Sequence, residues 1–246
     1  SELPQLAQAY GRAVNLAREA GFDSVEIHAG HGYLISQFLS PATNHRKDEF
    51  GGSLENRMRF MDMVMNEVMK AAGNDLAVFV KMNMRDGFKG GMELEESLQV
   101  AKRLEESGAH ALVLSGGFVS RAPMYVMRGE MPIRSMSHYM KCWWLKYGVR
   151  LVGKWMIPAV PFQEAYFLED ALKFRKVLHM PLVYVGGLVS RQKIDEVLND
   201  GFEAVQMARA LLNEPDFVNR MRKEEDARSA CKHSNYCICL LYTSDA

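Results

Sequence analysis

The 246-residue sequence carries no net charge. Thirty Lys and Arg balance thirty Asp and Glu, and no run of like sign suggests a surface for nucleic acid or an anionic membrane. The expected partners are therefore small molecules or other subunits. No uninterrupted apolar stretch approaches the roughly 20 residues of a spanning helix, and the first residues lack the basic and apolar pattern of a signal peptide, which points to a cytoplasmic protein with no membrane contact. Cysteine is scarce. Of four, Cys142 stands alone while Cys231, Cys237 and Cys239 crowd one end, so a framework of scattered disulfides is excluded and only the cluster invites a metal reading. Also missing is any Gly-x-Gly-x-x-Gly turn after a strand, which argues against dinucleotide binding on an open doubly wound sheet.

What is present is the composition of a globular protein with one sizeable core, 48% hydrophobic and 24% charged. Leu6, Tyr10, Ala13, Val14 and Ala17 recur at helical spacing, and Gly21 follows as a C-cap. The period then changes. Ser24 to Ala29 reads as a strand, and Ser53 caps a helix running to about Ala72. Further strands are predicted near Ala77 to Met84, His110 to Ser115, Leu182 to Val185 and Glu203 to Met207. Helices are predicted near Leu94 to Ser107, Phe162 to Val177, Arg191 to Asn199 and Pro215 to Glu224.

Repeated βα units with short apolar strands predict an α/β fold with a parallel sheet, either an incomplete (β/α)8 TIM barrel or, as runner-up, an open sheet. About five units leave the barrel short of its early strands, so residues 1–228 are expected to form a C-terminal portion of a larger barrel. Residues 116–160 are an insertion with an aromatic and methionine load too heavy for a disordered loop, among them Met124, Tyr125, Trp143, Trp144 and Trp155. A helical segment packed against its own barrel is expected, with a substrate lid or a subunit interface as alternatives.

In a parallel barrel the active site lies at the carboxyl ends of the strands, and four such ends here carry unusual residues. Val25 to Tyr33 ends a strand in His28, His31 and Tyr33, with Gly30 and Gly32 permitting the sharp turn that lets them converge. Two imidazoles and a phenol suit polarising a carbonyl oxygen and delivering a proton. Zinc ligation by the two histidines is the competing chemistry; the segment is expected to supply no third ligand, and Glu26 to point away from Ile27 along the strand.

Lys81 shares a face with Phe79 and Asn83, so an inward face would bring a cation to the barrel mouth and demand an anionic partner. Tyr184-Val-Gly186-Gly187 and Gln206-Met-Ala208-Arg209 end the last two strands. Close backbone approach at the glycines and the forked donor of Arg209 together suggest a phosphate site, at the strands where barrels often place one.

These residues together resemble the Old Yellow Enzyme family of flavin-dependent oxidoreductases. The resemblance rests on Ala20 to Leu34, on Gln37-Phe-Leu-Ser-Pro41, on Asn44-x-Arg46-x-Asp48-x-Phe50-Gly-Gly-Ser-Leu-Glu-Asn-Arg57 with Arg59-Phe60, and on Met207-Ala-Arg209 through Glu214-Pro-Asp216. It implies an FMN barrel in which NADH or NADPH reduces the flavin, and the flavin passes hydride to the β-carbon of an unsaturated carbonyl substrate.

By position, the resemblance makes His28 and His31 the carbonyl-binding pair and Tyr33 the proton donor. Lys81 falls beside the flavin's pyrimidine edge, and Gly186, Gly187, Ala208 and Arg209 at its phosphate. Arg46, Asp48, Glu55 and Arg57 are expected to be scaffold, pairing with one another and with loop backbone.

Two departures stand out: Ala208 replaces a usual glycine, and Lys81 a frequent arginine that would make a forked contact. Some members of the family hold an iron–sulfur cluster near residues 229–246, but Ser234 stands where a thiolate is expected, so no cluster is expected here. Cys239 to Ala246 resembles translated adapter sequence. The rival expectations are a catalytically silent barrel portion that retains phosphate-ligand binding, with open strand edges prone to homo-oligomerisation, and a His-ligated metal hydrolase.

Overall fold

The computed structural model describes residues 2–138, 140–156 and 159–237. A first helix, α1 (Leu3–Glu19), precedes the first strand, β1 (Ser24–Ala29). Next come α2 (Leu34–Leu39), α3 (Leu54–Ala72), β2 (Ala77–Asn83), α4 (Leu94–Glu106) and β3 (Ala111–Ser115). The insertion holds α5 (Pro123–Val126), α6 (Ile133–His138) and α7 (Trp143–Met156), and α8 (Leu168–Arg175) leads into β4 (Leu182–Val185). After α9 (Arg191–Asn199) and β5 (Ala204–Gln206), the short helices α10 (Arg209–Asn213) and α11 (Phe217–Met221) complete the order.

All strand pairs are parallel and the sheet runs β1-β2-β3-β4-β5, in chain order. A doubly wound sheet reverses its strand order at a switch point, whereas a barrel advances one strand at a time, so this sheet is an arc of a barrel. The two faces carry separate apolar clusters. Val78, Val80, Met82, Leu112, Leu114, Leu182 and Tyr184 point to the helices and belong to the main core, while Ala111, Val113 and Val183 form a separate cluster with Phe79 and Val185 on the other face.

Local chemistry explains the element ends. The Ser53 hydroxyl accepts from the Asn56 amide and starts α3, and Ser190 does the same for α9 through Lys193. Gly21, at φ 81°, ends α1 as expected. One helix begins later than its periodicity predicts: α8 starts at Leu168 rather than near Phe162. Ala165 is left-handed at φ 54°, and the preceding Glu164 carboxylate accepts from the Val189 and Ser190 amides, so this stretch braces the loop after β4 instead of coiling.

The Asn44 to Phe60 block is a brace, with pairings that differ in part from expectation. Arg46 does pair with Asp48. Arg57, 3% exposed, pairs instead with Glu96 of α4 and donates to the Leu39 carbonyl, while Glu55 meets Arg103. Helix–helix packing brought α4 within reach of Arg57, a contact no local spacing encodes.

The insertion is helical, and Met124 and Ile133 are buried. Its tryptophans depart from the expected packing: Trp143, Trp144 and Trp155 are exposed. A bridge between Gly129 and Val160 ties the neck of the insertion together. Among the described residues no helix is long and apolar enough to cross a membrane.

Candidate active site at the carboxyl edge of the sheet

Strand register sets the site. His28 pairs with Lys81, Lys81 with Val113, Val113 with Val183 and Val183 with Ala204, so one row crosses the sheet on the inner face. Two residues on, Asn83 pairs with Ser115 and Val185 with Gln206, at the edge where the strands end. A cavity of about 510 Å³ opens there, within the range of small-molecule sites. Six of the predicted residues line it: His31, Lys81, Gly186, Gly187, Ala208 and Arg209.

His28 and Tyr33 lie outside that lining but join it through His31. The His28 ring meets His31 edge-on at 4.9 Å between centroids and Tyr33 at 5.0 Å. The turn that gathers them uses left-handed backbone at His31, φ 59°, and Gly32, φ 83°. A side chain on Gly32 would strike the Phe118 ring at 2.4 Å, so only glycine fits. Asn83, fully buried, accepts from the His31 amide at 2.9 Å and donates to Asp86 and to the Gly117 carbonyl, locking the turn to β2 and to the loop after β3.

The rings differ in their partners. His31 Nε2 is 2.7 Å from the Ser115 hydroxyl, whereas His28 Nδ1 is buried without a partner. Burial, then the neighbouring His28 and Lys81, pushes the His31 imidazole down to about 4. His28 is also lowered, by burial and then Lys81, against the opposing pull of Glu26. Both are neutral imidazoles at pH 7, able to donate a hydrogen bond through the one nitrogen that keeps its proton. Tyr33 is half-exposed, at 49%, and caps α2.

Lys81 faces inward as expected, and its anionic partner is a residue of the chain: Nζ donates to Glu26 Oε1 at 2.7 Å. Sequence alternation could have found this, because Glu26 shares the face of His28. Arg209 is anchored more firmly than a free fork. Its Nη1 donates to the Met127 and Arg128 carbonyls and to Asn235 Oδ1, and the guanidinium lies over the Phe162 ring. Gly186 and Gly187 both have positive φ, at 153° and 71°, with Tyr166 and Phe167 packed against them.

Two residues at the site, His233 in the cavity lining and Asn235 behind Arg209, carried no sequence signal. His233 stacks on Phe162 at 3.3 Å, and burial followed by Arg209 and Arg228 pushes its imidazole down to about 4. Asn235, buried and left-handed, donates to the Met127 and Glu130 carbonyls and so straps the tail across the insertion.

Among the described residues no three of His, Cys, Asp and Glu gather to hold a metal, and Cys142, Cys231 and Cys237 are unpaired. Cys239 and the adapter-like stretch after it lie outside the described residues.

A barrel arc with a cavity at its strand ends defines the class of α/β-barrel enzymes. Comparison with known proteins then places this one: the pattern of the NADH:flavin oxidoreductase / NADH oxidase family matches residues 1–141, and the chain belongs to that family. It is 39% identical over 245 residues to the 4,4'-dithiodibutanoate disulfide reductase of Rhodococcus erythropolis, covering 99% of this chain and 60% of that protein.

With the NADPH dehydrogenase of Bacillus subtilis (strain 168) it shares 30% identity over 224 residues, covering 91% of this chain and 55% of the relative. The solved old yellow enzyme homologue of Zymomonas mobilis has the same fold, at a TM-score of 0.63 and 24% identity over 95% of this chain and 56% of that one. The chain thus spans little more than half the length of these relatives.

Proposed function

We propose that this chain is part of an FMN-dependent oxidoreductase that uses NADH or NADPH to reduce the C=C bond of an unsaturated carbonyl compound. Residues 1–228 then supply the proton-delivery and phosphate-binding part of the barrel. The observation that carries the reading is the convergence of His31 and Tyr33 on the His28 ring, at 4.9 and 5.0 Å, beside a cavity lined by His31, Lys81, Gly187 and Arg209.

The donor set fits FMN. Arg209 and the backbone at Gly187 and Ala208 would hold the phosphate, and Lys81 would face the electron-rich edge of the ring. The buried Nδ1 of His28 lacks a protein partner, and a bound ligand would supply one. When bound, FMN supplies the hydride.

The chain's own residues do the remainder. A neutral His31, oriented by Ser115, and His28 donate to the carbonyl oxygen, which draws electron density from the alkene, and the Tyr33 hydroxyl gives its proton to the α-carbon.

In the flavin-loaded enzyme Tyr33→Phe should keep ligand binding and lower turnover by about 10²-fold or more. Unchanged turnover would refute the proton-donor role.

A second reading has one observation in its favour, the 39% identity to a disulfide reductase. Reduction of S–S by hydride releases a good thiolate leaving group and needs no proton on carbon. An enzyme of that kind would lose little rate in Tyr33→Phe with a disulfide substrate, which separates the two chemistries.

A further inference from the structure

We propose, against the absence of membrane contact expected from charge balance and hydropathy, that α7 carries a surface that docks this protein onto an anionic membrane. Trp143, Tyr147, Leu151 and Trp155 recur every fourth residue and so share one face of the helix. That face is bare. Trp143 is 72% exposed, Leu151 79% and Trp155 89%, with Trp144 at 63% beside them. Isolated exposed apolar residues are ordinary, but a contiguous aromatic patch on one helix marks a contact.

Charge decides what it contacts. Between Glu130 and Glu164 the sequence has no acidic residue, while Arg134, Lys141, Lys146, Arg150 and Lys154 all fall there. Lys146 and Arg150 stand in the neighbouring row of α7, one residue before Tyr147 and Leu151. Beyond that row the helix packs on α6, where Gly153 lies against Ile133, and the row's cations reach it, Arg150 Nε donating to the Ser137 hydroxyl and Lys146 Nζ to the His138 carbonyl. An aromatic face flanked by cations with no anions is the pattern of a helix lying in a bilayer interface, where indole rings sit at the headgroups and Lys and Arg meet anionic lipid.

A second copy fits less well. A two-fold contact through this face would bring the cationic rows of both copies together with no acid from the insertion to offset them. The insertion leaves the sheet at the carboxyl end of β3, and Val126 and Met127 line the cavity, so the docked face belongs to the segment that borders the site.

Co-sedimentation with vesicles tests this on the full chain. Binding to vesicles of equal phosphatidylcholine and phosphatidylglycerol should exceed binding to pure phosphatidylcholine by at least about tenfold and weaken in high salt. Tryptophan emission should shift to the blue on binding.

Trp143→Ser/Trp155→Ser should abolish binding without moving the thermal midpoint, since both rings are exposed. Leu151→Asp repeats the test should that variant fail to fold. Absence of binding, equal binding to both vesicles, or unchanged binding by the variants would overturn the proposal. A dimer dispersed by Trp155→Ser would overturn it in favour of a second copy, and binding to polyglutamate without vesicle binding in favour of an acidic protein.

Discussion

Gln206, at the end of the last strand, donates a hydrogen bond to Glu26 on the first, 3.1 Å away. In a flat sheet these outer strands would stand about 19 Å apart, four spacings of ~4.8 Å, beyond the reach of two side chains. Their meeting measures the curvature of the arc. It also sets Lys81 in a carboxylate's grip, because the other Glu26 oxygen takes its ammonium.

Glu26→Gln leaves the Lys81 ammonium half-buried without its anion. A loss of about 1–2 kcal/mol is expected in urea unfolding. Glu26→Gln/Lys81→Met, which removes the charge as well, should recover most of it. Equal stability of the single and double variants would show that the pair does not couple.

The depressed imidazoles of His31 and His233 make acid destabilising. The unfolded chain takes up these protons near the ordinary value of about 6.5, and the folded chain only near about 4, so stability present above the unfolded value falls away as pH drops through that window. Thermal midpoints measured across it should fall, and His31→Gln/His233→Gln should flatten the slope. An NMR titration placing the His31 midpoint at the ordinary value would contradict the burial seen here.

Two glycines with nearly the same backbone should respond differently to alanine. Gly21, at φ 81°, has open space where a Cβ would go, so Gly21→Ala should cost about 1 kcal/mol of left-handed strain. Gly32 adds the collision with the buried Phe118 ring, which raises the expected loss to about 2–4 kcal/mol. Chemical denaturation of both variants checks the difference.

Asn235 holds Arg209, so its effect on ligand binding should depend on the phosphate. Asn235→Ala is expected to weaken FMN binding about tenfold, the loss of one hydrogen bond to a charged group, and to leave riboflavin, which has no phosphate, nearly unaffected. Fluorescence quenching titrations with both flavins provide the measurement. Equal losses would assign Asn235 a general structural role.

The sheet was legible because its strands are short apolar runs between helices of clear period. β1 and β4 match their predicted spans residue for residue, as does α9, and α3 begins where the Ser53 cap announced it. The short α2 and α10 went unread, since one and a half turns carry too little periodicity to register. Half of the site was legible for the same local reason: His28, His31 and Tyr33 lie within a single turn.

What sequence alone determined is the set of local decisions: period, caps, the glycines that permit the turn, and the side chains standing at each strand end. Tertiary structure decided partnership. That Lys81 meets Glu26, that Arg57 meets Glu96, that Asn235 reaches Arg209 and that three tryptophans face outward all depend on how elements distant in the chain are stacked and curved. Periodicity assigns a residue to a face of its own element, and only the assembled fold determines what that face meets.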